Sequence, residues 1–544
     1  MPQEARKVSS MQDFLRELRD LHMPVMERDF ENYLKDESRF TGHASAVVRV
    51  RNARDVIAVV RPANRWSIPL TVVSGKTSVT GGPVPLGGVV LDVRGLDSID
   101  PEDPTRVGPG VILSEYKQWV EARGLCYPVD PTSEDSCTLG GNVACNASGA
   151  SSFLYGPTRT YIQGLTVVLP TGTRLSIDRG DVVSRDGIFH VPGVLLAPKQ
   201  EDELVIPVPR TGVPPWHVCK NSAGLFSEDP MDLVDLFIGS EGILGIITGI
   251  RTRLLPRRNP RFSIIFYPPD LDTTVLMVQI LHRFKRFFHD GEVALAGDID
   301  EALVGLTSRP QENWQDRFSG LVPTCIEWLG SSTAPILSAD RSRKLGNSYG
   351  ALCVEQEYPQ GSDPTDTASQ WNDLLEEING FMGDGRRTVV SEVAVDEKHI
   401  RQIKEERHRI PEKMNESVKP GMVKIATDFA VPMSRLKDLL SLYDAELPNG
   451  KSYVFGHIGN AHVHANMIPE NDDEAREFRS IYLNMARKVC RLGGSVAGEH
   501  GIGKLKREVL AMMIGSEGIE EIRKVKRVLD PKGLLNLQNM VSWV

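Results

Sequence analysis

The chain has 544 residues, too many for one hydrophobic core, so two or more domains are expected. Charged residues make up 25% and apolar residues 40%, an ordinary globular composition. The formal net charge of -9 argues against nucleic acid as a partner, which would want a clustered basic face.

The seven cysteines, Cys126, Cys137, Cys145, Cys219, Cys325, Cys353 and Cys490, include no C-x-x-C pair. They read as reduced thiols of a cytoplasmic protein and offer no framework for an iron–sulfur cluster. Met1 to Arg28 is dense in charge and lacks the apolar stretch of a secretory signal. No apolar run is long enough to span a bilayer, so any hold on a membrane is expected to be peripheral.

In chain order, helical spacing of Phe14, Leu15, Leu18 and Leu21 predicts a helical arm over residues 1–40. Ala46 to Val50 reads as a strand, Asn52 to Val60 as a helix, and Pro69 to Val73 and Val89 to Val93 as further strands. Leu165 to Leu169 is another strand, and residues 179–230, heavy in Pro, Gly and charge, look like an inserted excursion. Strand-like Gly245 to Leu255 leads into Pro256-Arg257-Arg258-Asn259-Pro260, a plausible domain boundary. Beyond it, amphipathic stretches (Leu271 to Phe288, Trp371 to Phe381, Ile400 to Met414) alternate with strands, and Ser516 to Leu529 reads as a closing helix. The mixture predicts an α+β fold.

Two glycine-rich loops follow predicted strands. Ser74-Gly75-Lys76-Thr77-Ser78-Val79-Thr80-Gly81-Gly82 offers backbone N–H groups with little side-chain obstruction, and Thr77, Ser78 and Thr80 can add hydroxyl donors. Thr138-Leu139-Gly140-Gly141-Asn142, followed by Asn146-Ala147-Ser148-Gly149, is the second. Alone, either reads as a tight turn; together they can cradle a pyrophosphate. Gly75-Lys76-Thr77 mimics the end of a P-loop, but the motif's first glycine position holds Leu70. No G-x-G-x-x-G opens a helix after the first strand, so a Rossmann site is unsupported.

These loops carry a resemblance. The first, with Val84-Pro85 and Gly88 to Asp92, resembles the first FAD-pyrophosphate loop of the vanillyl-alcohol-oxidase superfamily. Asp130-Pro131-Thr132-Ser133 through Gly149 is similar to the second. Tyr155-Gly156, Leu236 to Ile246, and Asp530 to Asn536 resemble its later signatures. The resemblance implies a two-part FAD-binding domain of the PCMH type over 41–256 and a cap over 257–500, an antiparallel sheet flanked by helices. A segment over 501–544 returns to the FAD domain. It assigns FAD contacts to Ser74, Gly75, Lys76, Thr77, Ser78, Asp130, Pro131, Thr138, Gly140, Gly141, Asn142, Asn146, Ser148, Gly149, Tyr155, Gly242, Ile246, Ile247 and Asn536. Where the family often has consecutive glycines, this chain has Ser74-Gly75-Lys76, and Lys76 is open to either a phosphate or solvent. No histidine or cysteine stands at the usual flavin-attachment place, so non-covalent FAD is expected, with Cys137 and Cys145 the nearby thiols.

The richest chemical patch is Gly456-His457-Ile458-Gly459-Asn460-Ala461-His462-Val463-His464-Ala465-Asn466, which holds three of the twelve histidines. His462 and His464 have the strand period and can share a face. Ala497-Gly498-Glu499-His500 adds a carboxylate and a fourth imidazole. Any one histidine would read as an interior hydrogen-bonding residue, but the set suits zinc, manganese or iron(II). In the family's D-lactate, glycolate and D-2-hydroxyglutarate dehydrogenase branch, the resemblance implies metal ligands at His457, His464 and Glu499. It implies a catalytic base at His500 and a substrate contact at Asn466. His462 departs, since the family usually has asparagine there, leaving it an extra ligand or an outer partner. Arg407, within Glu405 to Glu412, matches the arginine that grips the substrate carboxylate. Pro411 and Ala426 replace a threonine and a lysine that hold a distal carboxylate in the D-2-hydroxyglutarate enzymes, although Lys424 lies two residues away.

The expected activity is oxidation of a D-lactate-like or glycolate-like 2-hydroxy acid by hydride transfer to FAD. An external acceptor (electron-transfer flavoprotein, quinone, cytochrome or iron–sulfur protein) would take the electrons, and a homodimer is compatible. Rival readings are an alcohol or phenol oxidase of the same fold, and a non-catalytic FAD-holding electron-transfer subunit. The metal set argues against the first rival and an intact His500 against the second.

Overall fold

The computed structural model describes residues 3–199, 202–284, 286–289, 292–295, 318, 320–382 and 388–543. The first helix, Gln3–Asp20, is shorter than the sequence suggested. His22 turns left-handed (φ 56°) and Pro24 follows, so the helix stops and Val25–Met26 becomes an edge strand. The arm is also not free: Phe14, Leu15 and Leu18 are buried in one cluster with Val56, Val59 and Val60 of the helix Ala53–Trp66. Asn52 caps that helix, accepting from the Arg54 and Asp55 N–H groups.

Among the described residues, three larger sheets carry the fold. The first has four strands in the order Val25–Met26, Ala46–Arg49, Val89–Asp92, Leu70–Val73, the last three parallel. Val89 to Asp92 are all buried, as expected of a parallel central strand. The second is an antiparallel five-stranded sheet built around Ile162–Val168 and Ile246–Thr252. Val168 and Ile246 reach into the first sheet's core and join the two parts.

The 179–230 stretch is more structured than a surface excursion. Leu196–Ala197 joins the second sheet, and Ile188–Val191 pairs with Leu204–Pro207. Thr211 packs so closely on the helix Arg507–Leu529 that a Cβ at Gly518 would lie 2.6 Å from its carbonyl oxygen.

The third sheet has eight strands. Its main path runs Val390–Ala394, Arg261–Tyr267, Gly350–Glu357, Pro323–Gly330, Ser452–Gly456, His462–Met467, Ile425–Ala426, with Phe429–Ala430 also on His462–Met467. Every pairing in it is antiparallel, and helices such as Leu271–His282, Glu397–Ser417 and Asp472–Arg491 accompany its strands. The chain then returns to the first sheet, where Leu535 bridges to Leu70 beside the Leu70–Val73 edge. No described helix is long and apolar enough to cross a membrane.

Candidate active site

A cleft of about 900 Å³ separates the glycine loops from the eight-stranded sheet, a volume suited to a cofactor with a small substrate. Its floor holds Ser74 to Ser78, Asp130, Pro131, Thr138, Gly140 to Asn142, Ser148, Gly149, Gly242, Ile246, Ile247 and Asn536. The two loops are tied together: the Thr138 hydroxyl donates to Ser74 Oγ at 2.8 Å and accepts from the Gly141 N–H at 3.4 Å. Gly242 has φ 70°, and a Cβ there would lie 2.3 Å from Asn536 Nδ2. Asn536 in turn donates to the Glu241 carbonyl and accepts from the Val72 N–H.

The floor fits a dinucleotide on its own chemistry. The Asn142 side-chain nitrogen is buried with no acceptor among the described residues. A Cβ at Gly141 would meet only the Thr138 hydroxyl at 3.4 Å, so that backbone faces open space. Gly149 differs, because its Cβ would sit 2.1 Å from the Asp130 carbonyl oxygen. Gly141→Val should therefore fold yet lose flavin by about tenfold or more, whereas Gly149→Val should lose the fold itself. The flavin-to-protein absorbance ratio, with thermal unfolding as control, separates the two. Full flavin in a folded Gly141→Val would move the pyrophosphate elsewhere.

Four of the expected contacts have protein partners of their own. Tyr155 stands outside the cleft, its hydroxyl donating to Glu357 at 2.9 Å and Arg258 lying 4.0 Å over its ring. Asn146 also stands outside, ending the helix Leu139–Cys145 in left-handed conformation and accepting from the Arg159 N–H. Lys76 lines the cleft, but its ammonium donates to the Asn32 carbonyl. The Asp130 carboxylate is engaged by the Ser151 hydroxyl and N–H.

The far end collects the polar cluster. His457 follows the strand Ser452–Gly456, while His462 and His464 share one face of His462–Met467. His457 Nε2 lies 3.1 Å and His464 Nε2 3.0 Å from Glu499 Oε1. Donor spacings near 3 Å are the edges expected around a cation with bonds of roughly 2.0–2.2 Å. The outward nitrogens are paired, His457 Nδ1 with Glu327 at 2.7 Å and His464 Nδ1 with the Thr427 carbonyl at 3.3 Å. Such outer partners orient metal-binding imidazoles. Burial would raise the Glu327 carboxyl, but the charges of His457 and Arg407 bring it down to about 2.

His500 Nε2 is 3.6 Å from Glu499 Oε1, and its ring stacks on His464 with centroids 5.0 Å apart. Burial pushes the imidazole down to about 4, so it is unprotonated at neutral pH and able to accept a proton. Behind it, Asp428 accepts from the His500 N–H and from the Lys506 ammonium. Arg407 and Pro411, one helical turn apart, both face the cleft, as do Asn466, Lys424 and Ala426. Arg407 is steadied by Glu355 at 3.5 Å. Glu405 and Arg409 on the same helix are more than half exposed, as the charge pattern suggested.

Sequence reading missed Glu327, Glu355, Asp428 and Lys220. The last is buried and donates to Glu499 Oε2 at 2.6 Å.

A dinucleotide-sized cleft with a glycine-lined floor and a histidine–carboxylate end is the layout of a flavoprotein oxidoreductase. Residues 44–178 match the FAD binding domain model, and residues 350–539 match the C-terminal domain model of FAD linked oxidases. Glycolate oxidase subunit GlcD of Bacillus subtilis (strain 168) is 26% identical, over 91% of this chain and 89% of its own. D-lactate dehydrogenase of Anaerostipes hadrus is 26% identical over 93% and 92%. Mitochondrial D-2-hydroxyglutarate dehydrogenase of Bos taurus is 26% identical over 92% and 77%. In fold, a solved alkyldihydroxyacetonephosphate synthase is similar with a TM-score of 0.63 at 16% identity, covering 96% of this chain and 85% of that one. The chain belongs to the FAD-linked oxidases.

Proposed function

We propose that the protein is an FAD-dependent dehydrogenase that oxidises a small 2-hydroxy acid to the 2-oxo acid. The observation that carries this reading is the meeting, at one end of the cleft, of Arg407, His500 and the His457–His464–Glu499 cluster. Bound FAD supplies the hydride acceptor, and a divalent cation held by that cluster supplies a Lewis acid that lowers the hydroxyl pKa. The chain's own residues do the rest. Arg407 pairs with the substrate carboxylate, Asn466 steadies the pose, and His500 takes the hydroxyl proton. Zinc suits the donors, with manganese and iron(II) as alternatives.

Pro411 and Ala426 line the cleft where the D-2-hydroxyglutarate enzymes have a threonine and a lysine for a distal carboxylate, which favours a D-lactate-like or glycolate-like substrate even with Lys424 in the same lining. An anaerobic screen of 2-hydroxy acids for flavin bleaching tests the whole reading, and bleaching by none of them would refute it. Reoxidation falls to an external electron acceptor, since the free cysteines form no cluster framework. A cytoplasmic place and a homodimer complete the proposal.

FAD should be bound without a covalent link. Burial pushes the Cys145 thiol up to about 12 and also raises Cys137, so neither is a ready nucleophile. Acid precipitation should release all the yellow colour, and colour left on the polypeptide would contradict this. About one divalent metal should copurify per chain. His464→Ala should lose it and keep FAD, which elemental analysis beside the flavin absorbance reads directly.

A further inference from the structure

We infer that His462 is a further protein ligand of the metal, making the donor set three imidazoles and one carboxylate. The inference rests on the metal reading above and extends it to a residue where the family usually has asparagine.

His462 is fully buried, and its Nε2 is 2.9 Å from Asp428 Oδ1. With Nε2 engaged by that carboxylate, Nδ1 is the ring nitrogen left to bind something else. Nδ1 is buried with no hydrogen-bond partner among the described residues. Such an orphaned polar atom is destabilising unless something engages it. The atom faces the cluster. It lies 4.0 Å from Glu499 Oε2, beyond hydrogen-bond reach, and the donor atoms of His457, His462, His464 and Glu499 all fall within 4.8 Å of one another.

The ring is also held in that orientation. A Cβ at Gly498 would lie 2.5 Å from its Cδ2 and Nε2, so backbone closes one side, while the His464 ring closes another with centroids 4.5 Å apart. The three histidines then follow one rule. Each gives its outward nitrogen to an oxygen, of Glu327, Asp428 or Thr427, and turns the other toward Glu499. Outer partners of this kind accompany metal-bound imidazoles. Lys220 engages Glu499 Oε2 and leaves Oε1 for the cation.

Four protein donors have a chemical consequence. Three protein donors suit zinc, whereas a fourth would shift the preference toward manganese or iron(II), which accept higher coordination numbers.

X-ray absorption at the metal edge of the purified, FAD-loaded protein should count three imidazoles; two would overturn the inference. In His462→Asn, metal affinity measured against a chromophoric chelator should fall by about 100-fold or more, with FAD content unchanged. Parent-like affinity in a flavin-loaded His462→Asn would also overturn it. If that variant keeps its metal while His464→Ala loses it, the three-donor reading stands and only His462 drops out. A parent protein without metal would remove the underlying reading as well. Should His462→Asn fail to fold, the imidazole count on the parent decides alone.

Discussion

His500→Ala is expected to bind a 2-hydroxy acid and yet reduce its flavin roughly a hundredfold or more slowly, the scale of losing a general base. The defect should lie in the limiting reduction rate, because the proposed mechanism has His500 meet the hydroxyl proton while Arg407 holds the carboxylate. Burial keeps the His500 imidazole unprotonated near neutrality, at about 4, so the parent rate should not be limited by loss of a proton from the base. Residual turnover in the variant should rise with pH as hydroxide substitutes. Stopped-flow flavin bleaching against substrate concentration measures both parameters. A parent-like limiting rate would send the proton through another group.

Arg407→Ala should fail in the opposite way. Its guanidinium lies in the cleft beside Glu355 and is influenced by Glu327, and these fix its place on the helix Glu397–Ser417. Removing it would leave the substrate carboxylate without its partner and near the buried Glu327, which lines the same cleft. A loss of about 3–5 kcal/mol, or a hundred- to a thousandfold or more in substrate affinity, is expected. The effect should appear at low substrate in the same bleaching experiment, and neutral inhibitors should hardly notice the change. Equal losses for charged and neutral inhibitors would mean that the helix, not the ion pair, had been disturbed.

His457, His464, Glu499 and His500 stand in two short motifs dense in histidine and glycine, so their chemistry is visible locally. Their partners are not. Glu327 reaches His457 only because Trp328 pairs with Gly456 across two strands, 130 residues apart for the contacting side chains. Asp428 arrives beside His462 because Ala430 pairs with it. Lys220 lies 279 residues from Glu499, inside a stretch whose composition says loop. Each is a single charged residue with no periodic context, and register alone brings it in. Tyr155 and Asn146 show the converse. Both sit in recognisable signatures, but one serves an Arg258–Glu357 pair and the other ends a helix. The apolar spacing from Phe14 to Leu21 carries no stop signal of its own; the left-handed turn at His22 and Pro24 beyond it end the helix.

The seam at Leu70–Val73 bears on how the molecule is made. Leu70 donates to the Leu534 carbonyl, its own carbonyl accepts from Asn536, and the Val72 N–H reaches the Asn536 side chain. A ribosome adding roughly 5–20 residues per second needs on the order of half a minute to travel from Ile247 to Asn536. Throughout that interval the nascent sheet carries an uncovered strand edge, a template for pairing with the wrong chain. The floor of the cleft also lacks the amide that braces Gly242. Flavin is therefore expected to enter late in biogenesis, after the whole eight-stranded sheet has been synthesised, and scarcity of flavin should show first as aggregation of newly made chains.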